Sequence, residues 1–136
     1  MSWPVIQQFG RFSVAGGIGF LTEAVILTWL VQGLGLNAYG ARVISFGIAV
    51  TVTWAINRNL TFGDRKNVAR AREYSAYVSV QIVGAVINFL VYAVAIALYP
   101  GFRSVVVVPL AMGSAVAMVF NFMAARSWVF RGDARE

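Results

Sequence analysis

Four long apolar stretches alternate along the chain with short polar or turn-forming segments. They cover approximately residues 12–34, 39–62, 74–98 and 104–130. Each is long enough to cross a bilayer as a helix, which takes about 20 mainly apolar residues. Glycine and proline punctuate the two outer connections, whereas the central connection, residues 63–73, is polar. The pattern predicts an all-α membrane protein: a single domain over residues 1–136, with four transmembrane helices forming two helical hairpins.

The two predicted hairpins repeat each other in sequence. A shift of 68 residues places the second stretch on the fourth, and a shift of 65 places the first on the third. The matched pairs include Ser45 with Gly113, Ala49 with Ala117, Thr53 with Asn121, Asn57 with Ala125, Arg58 with Arg126, and Glu23 with Asn88. In the second and fourth stretches they recur every four positions, a stripe that allows helices to pack closely in lipid. Both hairpins start on the same side, so the repeat is parallel.

Basic residues are concentrated on one side of the predicted membrane. Four spans place both termini and the central connection together, and nine of the eleven Lys and Arg residues fall on that side. Arg42 and Arg103 fall on the other. The positive-inside rule therefore predicts cytoplasmic N- and C-termini. Because these charges flank four spans, we expect them to contact membrane lipids with anionic headgroups and we expect no nucleic-acid partner.

The composition narrows the chemistry further. Hydrophobic residues make up 60% of the chain and charged residues 12%, and there is neither cysteine nor histidine. Disulfides, thiolate metal sites and the commonest proton shuttle are thereby excluded. We expect a protein that is not an enzyme, with no catalytic residue, no metal and no cofactor. Four short helices enclose little volume, which leaves a homo-oligomer open as an alternative to a monomer.

Glu23 is the only acidic residue in the first apolar stretch. It lies roughly 16 Å along the predicted helix, near the membrane midplane. A charge at that depth costs about 2.5–3.5 kcal/mol on insertion scales. Such a residue is usually retained because it contacts a polar substrate, a proton or a partner helix. Amides in hydrocarbon also need partners, so Thr53, Asn57, Asn88 and Asn121 are candidates either for ligand binding or for helix packing.

The second and fourth stretches end alike. Arg58 and Arg126 stand at the predicted cytoplasmic boundary, and each is followed four residues later by a phenylalanine. Arginine binds phosphate bidentately and stays charged at any relevant pH. The pair could hold a lipid phosphate, or each arginine could simply anchor its helix by snorkelling.

These motifs resemble the GtrA family over nearly the whole chain. The resemblance rests on Arg11-Phe12, Gly16-Gly17, the acid at position 23, and the two ends Asn57-Arg58-x-x-Thr61-Phe62 and Asn121-Phe122 with Arg126-x-Trp128-Val129-Phe130. Glutamate stands at 23 where that family usually has aspartate, and Ala125 stands where an asparagine is expected. The resemblance adds Arg11 to the candidate substrate-binding residues, which are Arg11, Glu23, Thr53, Asn57, Arg58, Asn88, Asn121 and Arg126.

What the resemblance implies is translocation of a polyprenyl-phosphate-linked sugar across the bacterial inner membrane. A membrane glycosyltransferase would then use that sugar for cell-surface polysaccharide synthesis or glycosylation. One alternative is a non-catalytic anchor or partner subunit of such a glycosyltransferase. Another is a small proton-coupled multidrug exporter. Exporters of that kind often insert in both orientations, whereas nine against two basic residues favours a single orientation.

Overall fold

Four long helices form the structure, a computed structural model that describes residues 3–65 and 69–131. The helices are α1 (Trp3–Thr28), α2 (Ala38–Ile56), α3 (Arg70–Leu98) and α4 (Val107–Ala124). π-Helical turns extend three of them: α1 through Trp29–Gly33, α2 through Asn57–Thr61 and α4 through Ala125–Val129. Short 3₁₀ turns lie at Gly63–Arg65 and Pro100–Ser104. With their extensions, all four helices are long and apolar enough to cross a membrane, so the predicted all-α multi-pass fold is confirmed.

The helix ends differ from the prediction mainly at the cytoplasmic side proposed from the charges. α1 begins at Trp3 rather than Phe12, and α3 begins at Arg70 rather than Tyr74. Pro4 does not prevent the early start, because the first turn of a helix needs no backbone N–H there. Residues 66–68 of the predicted central connection lie outside the described residues.

The chain divides into two compact units, and each contains one helical hairpin. Unit 1 contains α1 and α2, and unit 2 contains α3 and α4. The described part of the second unit ends at Arg131. We call the end of each hairpin that carries its connecting loop the turn end, and the opposite end the open end. The turn of unit 1 is fixed by Asn37, whose Oδ1 accepts hydrogen bonds from the backbone N–H groups of Tyr39 (2.8 Å) and Gly40 (3.2 Å) and so caps α2.

A stripe of small and polar side chains forms the inner face of α2. Every fourth residue along it is buried: Ala41, Ser45, Ala49, Thr53, Asn57 and Thr61. Opposite them α1 buries Phe12, Ala15 and Gly19. Gly19 lies directly against the Thr53 methyl group, where a Cβ atom would overlap it. The predicted stripe therefore packs the two helices of unit 1 against each other.

Unit 2 repeats this packing at the equivalent positions. The inner face of α4 and its extension buries Pro109, Gly113, Ala117, Ala125 and Val129. A Cβ atom on Gly84 would overlap the side-chain amide of Asn121. The pair Gly84 and Asn121 thus corresponds to Gly19 and Thr53 at the predicted shifts of 65 and 68 residues.

Aromatic pairs close the open ends of both hairpins in the same way. The rings of Phe12 and Phe62 in unit 1 have centroids 6.3 Å apart and planes at 62°. The rings of Tyr77 and Phe130 in unit 2 have centroids 5.9 Å apart and planes at 62°. Edge-to-face contacts of this kind are favoured over face-to-face stacking. The two hairpins are therefore structural repeats, as the sequence predicted.

Candidate functional site

Glu23 lies on α1 in the half of unit 1 nearer the turn end, and it is paired with Arg42 of α2. Arg42 Nε lies 2.7 Å from Glu23 Oε1, and the side chains are 65% and 19% exposed respectively. Glu23 Oε1 is nevertheless buried without an accepted hydrogen bond from any described group. The close Nε–Oε1 approach is therefore an ion pair whose N–H is not well aligned with the oxygen. The pair neutralises the carboxylate inside the hairpin.

Sequence reasoning missed Arg42 as a candidate, although a signal was present. The residue falls inside the predicted second span, 39–62, and one helical turn past its start. Because the observed first helix runs from Trp3 to Gly33, Glu23 lies in its last third, within reach of a long basic side chain near the beginning of the second helix. Pairing charges across the predicted hairpin, rather than counting them by side, would have found it.

Thr53 and Asn57 lie in the packed seam of unit 1. Thr53 Oγ1 donates a hydrogen bond to the backbone carbonyl of Val50 at 3.0 Å, and Thr61 Oγ1 donates to Asn57 Oδ1 at 2.8 Å. Thr53, Asn57 and Thr61 are all buried. Their hydroxyl groups and the Asn57 carbonyl are thus satisfied inside the hairpin, where burial without partners would be costly.

The two candidate arginines occupy equivalent π-helical turns. Arg58 lies in the turn Asn57–Thr61 and Arg126 in the turn Ala125–Val129. Each turn is closed by a bond from a phenylalanine N–H to the carbonyl five residues earlier, Phe62 to Asn57 and Phe130 to Ala125, both at 2.7 Å. Arg58 is only 8% exposed, and both arginines are engaged by other groups of the chain. π-Helical turns are rare and often found at functional sites.

Arg11 stands at the open end of unit 1 on the exposed side of α1. Its Nη1 donates a hydrogen bond to the backbone carbonyl of Leu60 at 3.3 Å. That contact ties the first helix to the π-helical turn that carries Arg58. It also leaves the remaining guanidinium donors available at the surface, because arginine carries five N–H groups.

Arg11 lines two adjoining concave surfaces of different character, which also share Gln7, Leu60 and Thr61. On one side lies a largely apolar groove of about 780 Å³, lined by Val14, Ala15, Ile18, Ile56 and Leu60 together with Gln7, Gly10, Arg11 and Thr61. On the other lies a smaller, more polar cleft of about 340 Å³, lined by Pro4, Gln7, Gln8, Arg11, Leu60, Thr61, Gly63 and Asp64. We call the two together the Arg11 groove. An apolar trough that meets a polar cleft at a guanidinium suits an amphiphile with an anionic junction between tail and head.

The amides of unit 2 lie between α3 and α4. Asn88 Nδ2 donates a hydrogen bond to Ser114 Oγ at 3.4 Å, and Asn88 also lies directly against Gly113. Asn121 packs on Gly84, and its Oδ1 is buried with no hydrogen-bond donor among the described residues. Each amide thus faces the other helix of its own hairpin.

Glu73 is a second residue that sequence reasoning missed. It lies in the first turn of α3, is only 1% exposed, and is engaged by other groups of the chain. A carboxylate there is favoured by the positive end of the helix dipole. The prediction had assigned it to the central connection. The repeat gave no signal for it, because its equivalent at the shift of 65 residues, Gln8, also lies before a predicted span. Among the described residues, no three side chains of His, Cys, Asp or Glu come together as metal ligands.

Comparison with known proteins adds one finding. The family model described as the GtrA/DPMS transmembrane domain matches residues 11–134. The matched region begins at Arg11 and includes both π-helical turns that carry Arg58 and Arg126. No curated protein matches the chain.

Proposed function

Because the chain belongs to the GtrA/DPMS transmembrane domain family, whose members are membrane proteins associated with glycosylation, we propose that it translocates a lipid-linked sugar. The substrate is a polyprenyl-phosphate-linked sugar, and the membrane is the bacterial inner membrane. The protein carries out no bond-breaking chemistry in this proposal. A membrane glycosyltransferase consumes the translocated sugar for cell-surface polysaccharide synthesis or glycosylation.

The observation that carries the proposal is the Arg11 groove. A prenyl chain needs an apolar surface, a phosphate needs a cation, and a sugar needs polar groups, in that order along the molecule. The groove offers the same order: the apolar trough beside Ile18 and Ile56, then Arg11, then the polar cleft beside Gln8 and Asp64. Charge-assisted hydrogen bonds from arginine are the strong contacts that such a phosphate would make.

In each hairpin the proposed phosphate contacts include the arginine of its own π-helical turn, Arg58 in unit 1 and Arg126 in unit 2. Each occupies the π-helical turn that ends its hairpin's second helix. Arg58 is close in sequence to Leu60, the residue whose carbonyl accepts the hydrogen bond from Arg11. In unit 1, Arg11 would meet the phosphate first and Arg58 would share its charge, and Arg126 would serve at the equivalent position of unit 2. Their existing contacts within the chain hold them at these positions.

We propose that the interior polar residues support transport indirectly. They keep the two helices of each hairpin closely packed and give the contact between those helices a weakly polar character. Thr53 and Asn57 do so in unit 1, and Asn88 and Asn121 in unit 2. Asn121 Oδ1 is buried against Gly84 and accepts no hydrogen bond from the described residues, so we assign Asn121 to this packing role. We place both termini in the cytoplasm, supported by the bias of basic residues.

The direct test is translocation in proteoliposomes that contain only this protein. A fluorescent or radiolabelled polyprenyl-phosphate sugar is added in one leaflet, and its arrival in the other is followed by accessibility to a membrane-impermeant reagent. Protein-dependent transfer is expected, and it should fall when Arg11 is replaced by glutamine. A matched control is Arg103→Gln, which removes one exposed arginine in the loop of unit 2. Absence of transfer by folded protein, together with stimulation of a co-reconstituted glycosyltransferase, would favour the partner-subunit alternative.

A further inference from the structure

Arg42 presents two different faces. Its Nε is held by Glu23 at 2.7 Å, whereas its terminal Nη1 and Nη2 donate no hydrogen bond to any described residue. The side chain is also 65% exposed. A guanidinium that is fixed at Nε and open at both terminal nitrogens still presents an end-on fork of two donors. That fork matches two oxygens of a phosphate.

The position of Arg42 complements that of Arg11. Glu23, which holds Arg42, lies twelve positions after Arg11 on α1, a rise of about 18 Å along the helix. Arg11 therefore serves the open end of unit 1 and Arg42 the half nearer the turn end.

We propose that Arg42, oriented by Glu23, is a second binding position for a lipid-borne phosphate, in the half of unit 1 nearer the turn end. The proposal rests on the translocase function and extends it. A phosphate that enters at Arg11 must later be received nearer the other membrane surface, and Arg42 has the exposed donors to receive it.

Glu23 makes the binding of phosphate at this second position transient. Its carboxylate orients the guanidinium but also repels an incoming phosphate, because two anions then share one cation. A site on a transport path must bind strongly enough to admit the substrate and weakly enough to release it. Glu23 thus acts as a positioning residue that limits affinity. A purely structural ion pair would have no such effect on phosphate binding.

The test measures equilibrium binding of farnesyl phosphate to the full chain in nanodiscs of zwitterionic lipid, with farnesol as the probe that lacks phosphate. The protein carries Arg11→Gln, so that binding at the open end is suppressed. In this background Arg42→Gln should weaken binding of farnesyl phosphate about tenfold, the usual effect of losing hydrogen bonds to a charged group. Glu23→Gln should strengthen it several-fold, and the double variant should bind like Arg42→Gln alone.

Controls separate this effect from misfolding and from general charge. Arg42→Lys keeps the charge but loses the fork, so it should also weaken binding, whereas Arg103→Gln should leave it unchanged. Unchanged or weaker binding in Glu23→Gln would overturn the proposal, as would unchanged binding in both Arg42 variants. Inorganic phosphate should compete only at far higher concentration; competition at the concentration of farnesyl phosphate would assign the site to free phosphate and overturn the lipid assignment.

The outcome can be separated from that of the proposed function. Binding that depends on Arg42, with no transfer of lipid-linked sugar in proteoliposomes, would support the binding site at Arg42 and contradict the translocase function. Transfer that is insensitive to substitutions of both Arg42 and Glu23 would support the translocase function and contradict the binding site at Arg42.

Discussion

Arg42 Nε and Glu23 Oε1 lie 2.7 Å apart and join the two helices of the first hairpin. The acid alone would be costly in a membrane-spanning helix, because the bilayer core solvates charge poorly. Arg42 lies one turn after the start of α2, and its long side chain reaches toward the carboxylate of Glu23. This ion pair explains how the first span tolerates its single acid. It has no counterpart in unit 2, where Leu110 matches Arg42 and Asn88 matches Glu23.

We expect the pair to contribute modestly to stability. Since Arg42 is largely exposed, Arg42→Gln should lower the free energy of unfolding by about 1 kcal/mol or less. A double-mutant cycle with Glu23→Gln, measured by reversible unfolding in detergent, should give a favourable coupling of comparable size. Additive effects of the two substitutions would show that the close approach contributes nothing to stability.

Two glycines should be intolerant of even a methyl group. Gly19→Ala and Gly84→Ala place a Cβ atom where Thr53 or Asn121 already lies, and overpacking of this kind typically costs about 1–3 kcal/mol. Gly16→Ala and Gly17→Ala are the matched controls, because nothing lies within 4 Å of a Cβ atom at either position. Thermal unfolding in detergent measures all four.

A second substitution tests the mechanism of the first. Thr53→Ser removes the methyl group that Gly19 faces, so it should recover most of the stability lost in Gly19→Ala. If the two glycine variants were as stable as the two controls, the inference that the helices of each hairpin approach closely at Gly19 and Gly84 would be wrong.

Much of this fold could be predicted from the pattern of the chain. Four apolar stretches predicted the number of helices, and the repeat with shifts of 65 and 68 residues matched Phe12 with Tyr77 and Phe62 with Phe130, equivalent positions that the structure shows making equivalent contacts. These features depend on local composition and on four-residue periodicity. Both are visible in a single sequence.

The contacts of individual polar residues could not be predicted in the same way. Whether an amide such as Asn121 faces its own hairpin depends on helix rotation, which hydrophobic patterning fixes poorly when most of a helix surface is apolar. The reach of Arg42 to Glu23 depends on a side-chain conformation and on the level at which two helices meet. The π-helical turns at Arg58 and Arg126 depend on a shift of one residue in the hydrogen-bond pattern, and no composition rule signals it.

The membrane orientation that we propose from the charges can be measured. We expect a reporter fused after the C-terminus and one inserted at Gly35, in the turn of unit 1, to give opposite locations, with the C-terminal reporter in the cytoplasm. Gly35 suits insertion because it lies in a loop, at φ +71°. Active alkaline phosphatase at the C-terminus would contradict the proposed topology.

The proposed phosphate contacts depend on the shape of arginine as well as its charge. Arg58→Lys and Arg126→Lys keep the charge but lose the bidentate fork. Each should weaken binding of a polyprenyl-phosphate sugar about tenfold, the scale of one lost charge-assisted hydrogen bond, while expression and insertion persist. Unchanged affinity in both variants would remove Arg58 and Arg126 as phosphate ligands and leave Arg11 as the principal one.

Replacing Glu23 by glutamine separates a transport role from a packing role. The amide keeps the shape of the side chain and can still contact Arg42, so Glu23→Gln should fold and insert normally. If the negative charge limits how tightly Arg42 holds the phosphate, its loss should slow release, and translocation in proteoliposomes should fall severalfold. Thr22→Val is the matched control, because the Thr22 hydroxyl bonds only to the carbonyl of Ile18 within its own helix, at 2.8 Å. Wild-type translocation by well-folded Glu23→Gln protein, with Thr22→Val equally active, would restrict Glu23 to helix packing.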